Sequence, residues 1–191
     1  MTAGCGAGLV ISQVYGGGGN SGAPLSNDFI ELHNAGSTPV ALGEFAVHYS
    51  SASGATWLKQ VLPAVNLAPG GYFLIQESAG VVSALPLPTP DFVPLLPIAM
   101  GATQGKVALT ASSVTLSGFF PLAQTVDIVG YGIANCAEGA ATPPASNVTS
   151  VARAGAGCQD TGNNATDFAV GAPAPRNGAT PPVVCACALG Q

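Results

Sequence analysis

Four side chains in one short stretch, Asp160, Asn163, Asn164 and Asp167, bring oxygen donors together within eight residues, and Gly162 lets the chain bend between them. A hard cation such as calcium takes about six to eight oxygens on a flexible loop. The loop is therefore a candidate calcium site. It lacks the Asp-x-Asp-x-Asp-Gly run and the distal Glu of an EF-hand. The competing reading is a loop in which Asp and Asn cap their own backbone. A second cluster, Asp28, Glu31 and His33, holds two carboxylates and one of the two histidines. It offers the residue types of a small hydrolase. Paired-carboxylate hydrolysis requires two acids roughly 5–9 Å apart across a cleft, and an acid on a strand more often accepts hydrogen bonds or faces solvent. His33 and His48 both lie in strand patterns. No G-x-S-x-G elbow and no H-E-x-x-H occurs. The sequence assigns no catalytic residue and no organic cofactor.

The cysteines are Cys5, Cys136, Cys158, Cys185 and Cys187. None has the C-x-x-C spacing of a metal site. Cys136 and Cys158 bracket a turn-rich loop, and a disulfide between them is the expectation. Loop entropy makes such a bridge worth about 3 kcal/mol. Cys5 could pair with Cys185 or Cys187 if the termini meet, and an odd total leaves one thiol over. Disulfides imply an oxidising compartment. Thr2-Ala3-Gly4-Cys5 also ends like a bacterial lipobox, which makes a lipid anchor at Cys5 an alternative to a disulfide half.

These residues are positioned by short strands. Leu9–Tyr15 reads as a first strand. In Phe29–Asn34 a period of two sets Ile30 and Leu32 on one face, Glu31 and His33 on the other, as in a half-buried strand. Between them runs a glycine-rich loop, Gly16–Ser26. It has no Lys-Ser/Thr ending and no following helix, so it is not a phosphate loop. Further strand patterns fall at 40–42, 45–49, 56–62, 72–76, 105–110, 125–131, 147–152 and 168–170. Residues 80–103 form a proline-rich excursion across the surface. No window keeps a helical period for more than two turns. Strands at this spacing, separated by turn signals, predict an antiparallel sandwich or barrel. Trp57 reads as a packing residue, and Phe119-Phe120-Pro121 as an exposed apolar loop. Asn147 and Asn164 each begin a glycosylation sequon.

The wording of these segments resembles the lamin-tail domain of secreted bacterial proteins. The resemblance rests on VISQVYGGGGNSGA, NDFIELHN, LAPGGYFLIQESAG, PLPTPDF, GKVAL, DIVGYGIANCAEG, GCQDTGNNATDF and GAPAPRN, from about Val10 to Asn177. It implies an all-β, immunoglobulin-like antiparallel sandwich. It also implies a binding or structural module, often attached to extracellular nucleases and phosphatases, with no activity of its own. No stretch here looks like such an attached enzyme. The expected organisation is a flexible N-terminus (1–8), a sandwich (9–178) and a C-terminal tail (179–191).

Composition narrows the partners. The 191 residues carry 4 basic and 9 acidic side chains, a net charge of −5, and the basic ones are scattered. Direct nucleic-acid binding requires clustered cations, so it is not expected. No segment has the roughly 18 apolar residues of a membrane span. The chain is 48% hydrophobic and 7% charged, with 26 glycines and 16 prolines. That excludes charge-driven disorder and leaves strand edges with little charged protection. The expectation is a non-catalytic extracellular or cell-envelope module that docks a protein partner or itself through strand edges and apolar loops. The alternative is an accessory domain of, or a fragment from, a secreted nuclease or phosphatase.

Overall fold

The computed structural model describes residues 8–82 and 84–186, and it is an antiparallel sandwich of two main sheets. The first sheet is ordered β11-β10-β1-β2-β7, from β1 (Leu9–Tyr15), β2 (Asn27–Asn34), β7 (Tyr72–Ala79), β10 (Ser150–Arg153) and β11 (Phe168–Gly171). The second is ordered β5-β4-β8-β9, from β4 (Ala46–Ser50), β5 (Leu58–Val61), β8 (Gly105–Thr110) and β9 (Asp127–Tyr131). Two two-residue strands, β3 (Val40–Ala41) and β6 (Asn66–Leu67), pair beside them. One helical turn, α1 (Asn164–Asp167), precedes β11.

Strand alternation builds the main core. Ile30 and Leu32 of β2, Phe73 and Ile75 of β7, and Ile11 of β1 face Val47, Val107, Leu109 and Val129 of the other sheet. The opposite faces are covered as well. Outside the first sheet, Tyr15, Phe29 and Leu74 pack with Leu25 and Leu87. Outside the second, Trp57 packs with Ala108, Leu116, Ile128 and Cys136. Every residue of β1, β4, β8 and β9 is buried. Burial on both faces explains how a chain so poor in charge folds. Even Lys106 is inside, donating to the Gly54 carbonyl and Asn135 Oδ1 at 2.7 Å and lying 5.0 Å from the Trp57 ring centre.

The glycine-rich loop is a packing hub. A Cβ on Gly18 would stand 1.9 Å from the Asn27 carbonyl carbon, and one on Gly16 would stand 2.4 Å from the Gly101 oxygen. Only a residue without a side chain lets these backbones meet.

A register shift in the β1–β2 ladder falls between Ile11 and Gln13. It leaves Ser12 as the extra residue, as bulges do, and Ile11 lies past the Gln13 end of the β1–β10 ladder. Asp127 Oδ2 accepts from the Ile11 N–H at 2.7 Å, and Arg153 Nε donates to the Ile11 carbonyl at 3.0 Å. Arg153 and Asp127 are themselves paired at 2.7 Å with essentially no exposure, which ties the two sheets together. Burial pushes the Asp127 carboxyl up, and the Arg153 guanidinium and the Ile11 N–H pull it back.

Candidate functional site

The half-buried reading of β2 needs correcting, because its polar face is covered too. Glu31 and His33 are fully buried. Residues 172–186 run back over this face as a strap. Gln13 takes the Ala174 N–H and donates to its carbonyl. Arg176 follows. Its Nη2 reaches Glu31 Oε1 at 2.6 Å, its backbone N–H reaches Oε2 at 2.6 Å, and its guanidinium lies 4.0 Å from the Tyr72 ring centre. Ser12 Oγ also donates to Glu31 Oε1, so both carboxylate oxygens are occupied. Val183 donates to the Gly70 carbonyl and accepts from His33 Nε2 at 3.0 Å. His33 stacks on Tyr72, with ring centres 4.6 Å apart. Burial lowers the His33 pKa and favours the neutral ring. Within the expected C-terminal tail, 179–191, the described residues carry the Val183 contacts to Gly70 and His33.

Asp28 sits at the other end of β2. Five strand steps separate it from His33, about 17 Å at strand rise. Its carboxylate accepts from Gly18 N at 2.8 Å and Met100 N at 2.9 Å. Burial raises its pKa to about 7. Glu77 is similar: it accepts from Ile98 N at 2.6 Å and Gln60 Nε2 at 2.9 Å, and burial again lifts it to about 7. Asp91 accepts from Leu74 N at 2.8 Å. Three acids thus fasten the proline-rich excursion to the β2–β7 side of the sandwich. Asp28, Glu31 and His33 do not converge on a cleft.

The candidate calcium residues are held by hydrogen bonds within the fold. Asn163 Oδ1 caps α1, accepting from Ala165 N at 3.1 Å. Asn164 is buried; its Oδ1 takes the Gly130 N–H and its Nδ2 donates to the Ile128 carbonyl, both at 2.9 Å. It therefore pairs with β9 as a neighbouring strand would. Asp167 is also buried and accepts from Thr161 N, Thr161 Oγ1 and Asn163 N. Asp160 lies 3.4 Å from Arg153. These side chains make the hydrogen bonds of a capping loop, Asn163, Asn164 and Asp167 accepting from backbone N–H groups and Asp160 lying beside Arg153. The sequon at Asn164 is closed to modification by the same burial.

The expected Cys136–Cys158 disulfide is also corrected. Cys158 is bonded to Cys185, with Cα atoms 5.4 Å apart. Cys136 is a buried free thiol in the cluster around Trp57. It points into that apolar cluster, away from the loop it was thought to close. Cys5 and Cys187, with the lipid-anchor reading of Cys5, lie outside the described residues. Trp57 is buried as expected, its Nε1 donating to the Gly118 carbonyl at 3.0 Å, and Phe119 and Phe120 are exposed.

Two of the four edges of the main sheets, β7 and β9, are closed. The excursion covers β7: Gln76 N donates to the Phe92 carbonyl at 2.9 Å and Ser78 N to the Ile98 carbonyl at 3.1 Å. Asn164 and Thr142 cover β9. Beside β5 lies an apolar groove of about 350 Å³, lined by Lys59, Gln60 and Val61 and by residues 92–96. Leu95 is fully exposed and Leu96 is 85% exposed. Sequence reasoning missed the strap and this groove. The one available signal was Arg176, a lone cation in a proline-rich segment that needs a buried anion to hold it.

Two antiparallel sheets packed face to face define an immunoglobulin-like all-β sandwich. The lamin tail domain profile matches residues 4–132, and the chain belongs to that family. The match spans β1 to β9; β10, β11 and the strap lie beyond it. Among solved structures, the chain resembles a DUF4876 family protein from Bacteroides thetaiotaomicron, with a TM-score of 0.55 and 15% identity. The likeness covers 92% of this chain and 74% of that one, and it concerns the fold. No curated protein matches the sequence.

Proposed function

We propose that this domain is a non-catalytic extracellular or cell-envelope module that binds a second copy of itself through the β5 edge and the groove beside it. The exposed apolar rim of that groove carries the reading. Val61 of β5 lines the groove with Val93, Leu95 and Leu96 of the excursion, all 46–100% exposed. Isolated exposed apolar residues are ordinary, whereas a contiguous rim beside a strand edge suits edge pairing with side chains seated in the groove. Lys59 is the single charge on this strand, so edge protection is slight. The saturated Glu31, Asp28 and Asp167 carboxylates support the absence of catalysis. The disulfide supports an oxidising compartment, and no described helix is long and apolar enough to cross a membrane.

Light scattering over a salt and concentration series tests the reading. Association should vary little with salt, since screening acts on charges and not on apolar burial. Leu95→Asp with Leu96→Asp should abolish it. A monomer under every condition overturns self-binding.

A further inference from the structure

His33, Cys158 and Cys185 are the one group of metal-ligating side chains that the described residues bring together: a ring nitrogen and both sulfurs lie within 4.8 Å of one another. The sulfurs are at present bonded to each other. His33 Nε2 donates to the Val183 carbonyl, so the lone pair sits on Nδ1. That nitrogen is buried and makes no hydrogen bond of good geometry, with the Gly157 backbone close against it. It abuts the chain next to Cys158, since a Cβ built on Gly157 would stand 2.8 Å from it. A buried imidazole nitrogen with a free lone pair, its other N–H fixed by a backbone carbonyl, is the arrangement of a metal-ligating histidine.

We propose that reduction of the Cys158–Cys185 bridge unmasks a three-ligand site for a thiophilic divalent cation, zinc being the best fit. Two thiolates and one imidazole match the donor set of zinc, with a fourth position left for water. Both cysteines are partly exposed, so a thiol reductant reaches them. Two glutathione molecules supply two electrons and two protons, giving Cys158–SH and Cys185–SH, and leave as glutathione disulfide. Zinc then displaces both thiol protons. The S–S bond must open by more than an ångström to admit the ion. A shift of the strap segment that carries Cys185 would provide this. Oxidation and metal binding exclude each other, so the site is a redox-gated one. By mass action zinc must also make the bridge easier to reduce.

The test uses the full chain carrying Cys5→Ser and Cys187→Ser, so that the thiols released by reduction are those of the cluster. After anaerobic reduction and removal of reductant, cobalt is added. One equivalent should give thiolate-to-cobalt charge-transfer absorption, which zinc then displaces, and the oxidised protein should give none. His33→Gln should weaken binding by more than about tenfold. Independently of that variant's folding, zinc added to a glutathione redox buffer should move the midpoint of the Cys158–Cys185 couple toward the reduced form. Cobalt binding without charge transfer, affinity equal in folded His33→Gln, or an unmoved midpoint each overturns the proposal.

Discussion

Arg176 closes over Glu31 with Nη2 2.6 Å from Oε1, although 145 residues of chain separate the two. Glu31 has no exposure, while Arg176 keeps 22% of its side chain in solvent. The acid therefore depends on the arginine more than the reverse. Removing one partner of a buried pair leaves an uncompensated charge, at a cost of about 3–5 kcal/mol. Arg176→Ala is expected to fall in that range in chemical denaturation, and adding Glu31→Gln should recover part of it. A loss under about 0.5 kcal/mol, the scale of an exposed pair, would contradict the burial argument.

The Cys158–Cys185 bridge closes a loop of 27 residues of separation. Loop entropy gives it about 3.5 kcal/mol. Non-reducing peptide mapping should recover Cys158 joined to Cys185 and Cys136 as a thiol that alkylates only on unfolding. Finding Cys136 in a bridge would reverse the assignment.

Stability should fall as pH rises from about 5 to about 7.5. Asp28, Glu77 and Glu138 sit at about 7 when folded, against 3.8 for the Asp and 4.5 for the two Glu residues when free. Burial is the first cause for each. Between those values the folded chain keeps protons that the unfolded chain has lost, so this contribution is full at low pH and gone above about 7. Asp127, raised by burial, acts in the same sense. The histidines oppose it. His48 is lowered from 6.5 to about 4 by burial and then by Lys59, and His33 is also lowered, so both favour folding less as pH drops below 6.5. His48→Gln should therefore steepen the decline. A wild-type melting temperature that climbs across this window would show that the acids are ionised in the fold.

Asn164 can be tested as a substitute strand. Asn164→Ala leaves the Gly130 N–H and the Ile128 carbonyl without the partner they have now. Each buried orphan costs about 1–3 kcal/mol. Amide exchange at Gly130 should accelerate with the loss of stability. Protection equal to wild type would mean that the neighbouring Thr142 pairing is sufficient by itself.

Strands with a clean pattern were legible from the sequence. Leu9–Tyr15 and Gly105–Thr110 run over the residues their patterns indicate, and the alternation in β2 places Ile30 and Leu32 in the core. Periodicity tells which face is polar, not whether another segment covers it, so Glu31 and His33 read as half-exposed. The strap has no period at all, because its proline-rich residues 172–182 bind through backbone groups and one guanidinium. Helix α1 is four residues long, too short to show a period. Cysteine spacing carries no pairing information once the chain folds over itself, and Cys136 shows this by packing with Trp57 and Leu116.

Chain direction gives the strap a consequence in time. Residues 172–186 are made after nearly all of the strands they cover. Until they emerge from the ribosome, Glu31 and His33 lie open to water and Cys158 has no Cys185 to join. Such distant pairings make for slow folding. The sandwich thus locks only once residues 172–186 have been made, and a nascent chain stalled before residue 176 should be more readily cut by proteases than one extended past residue 186.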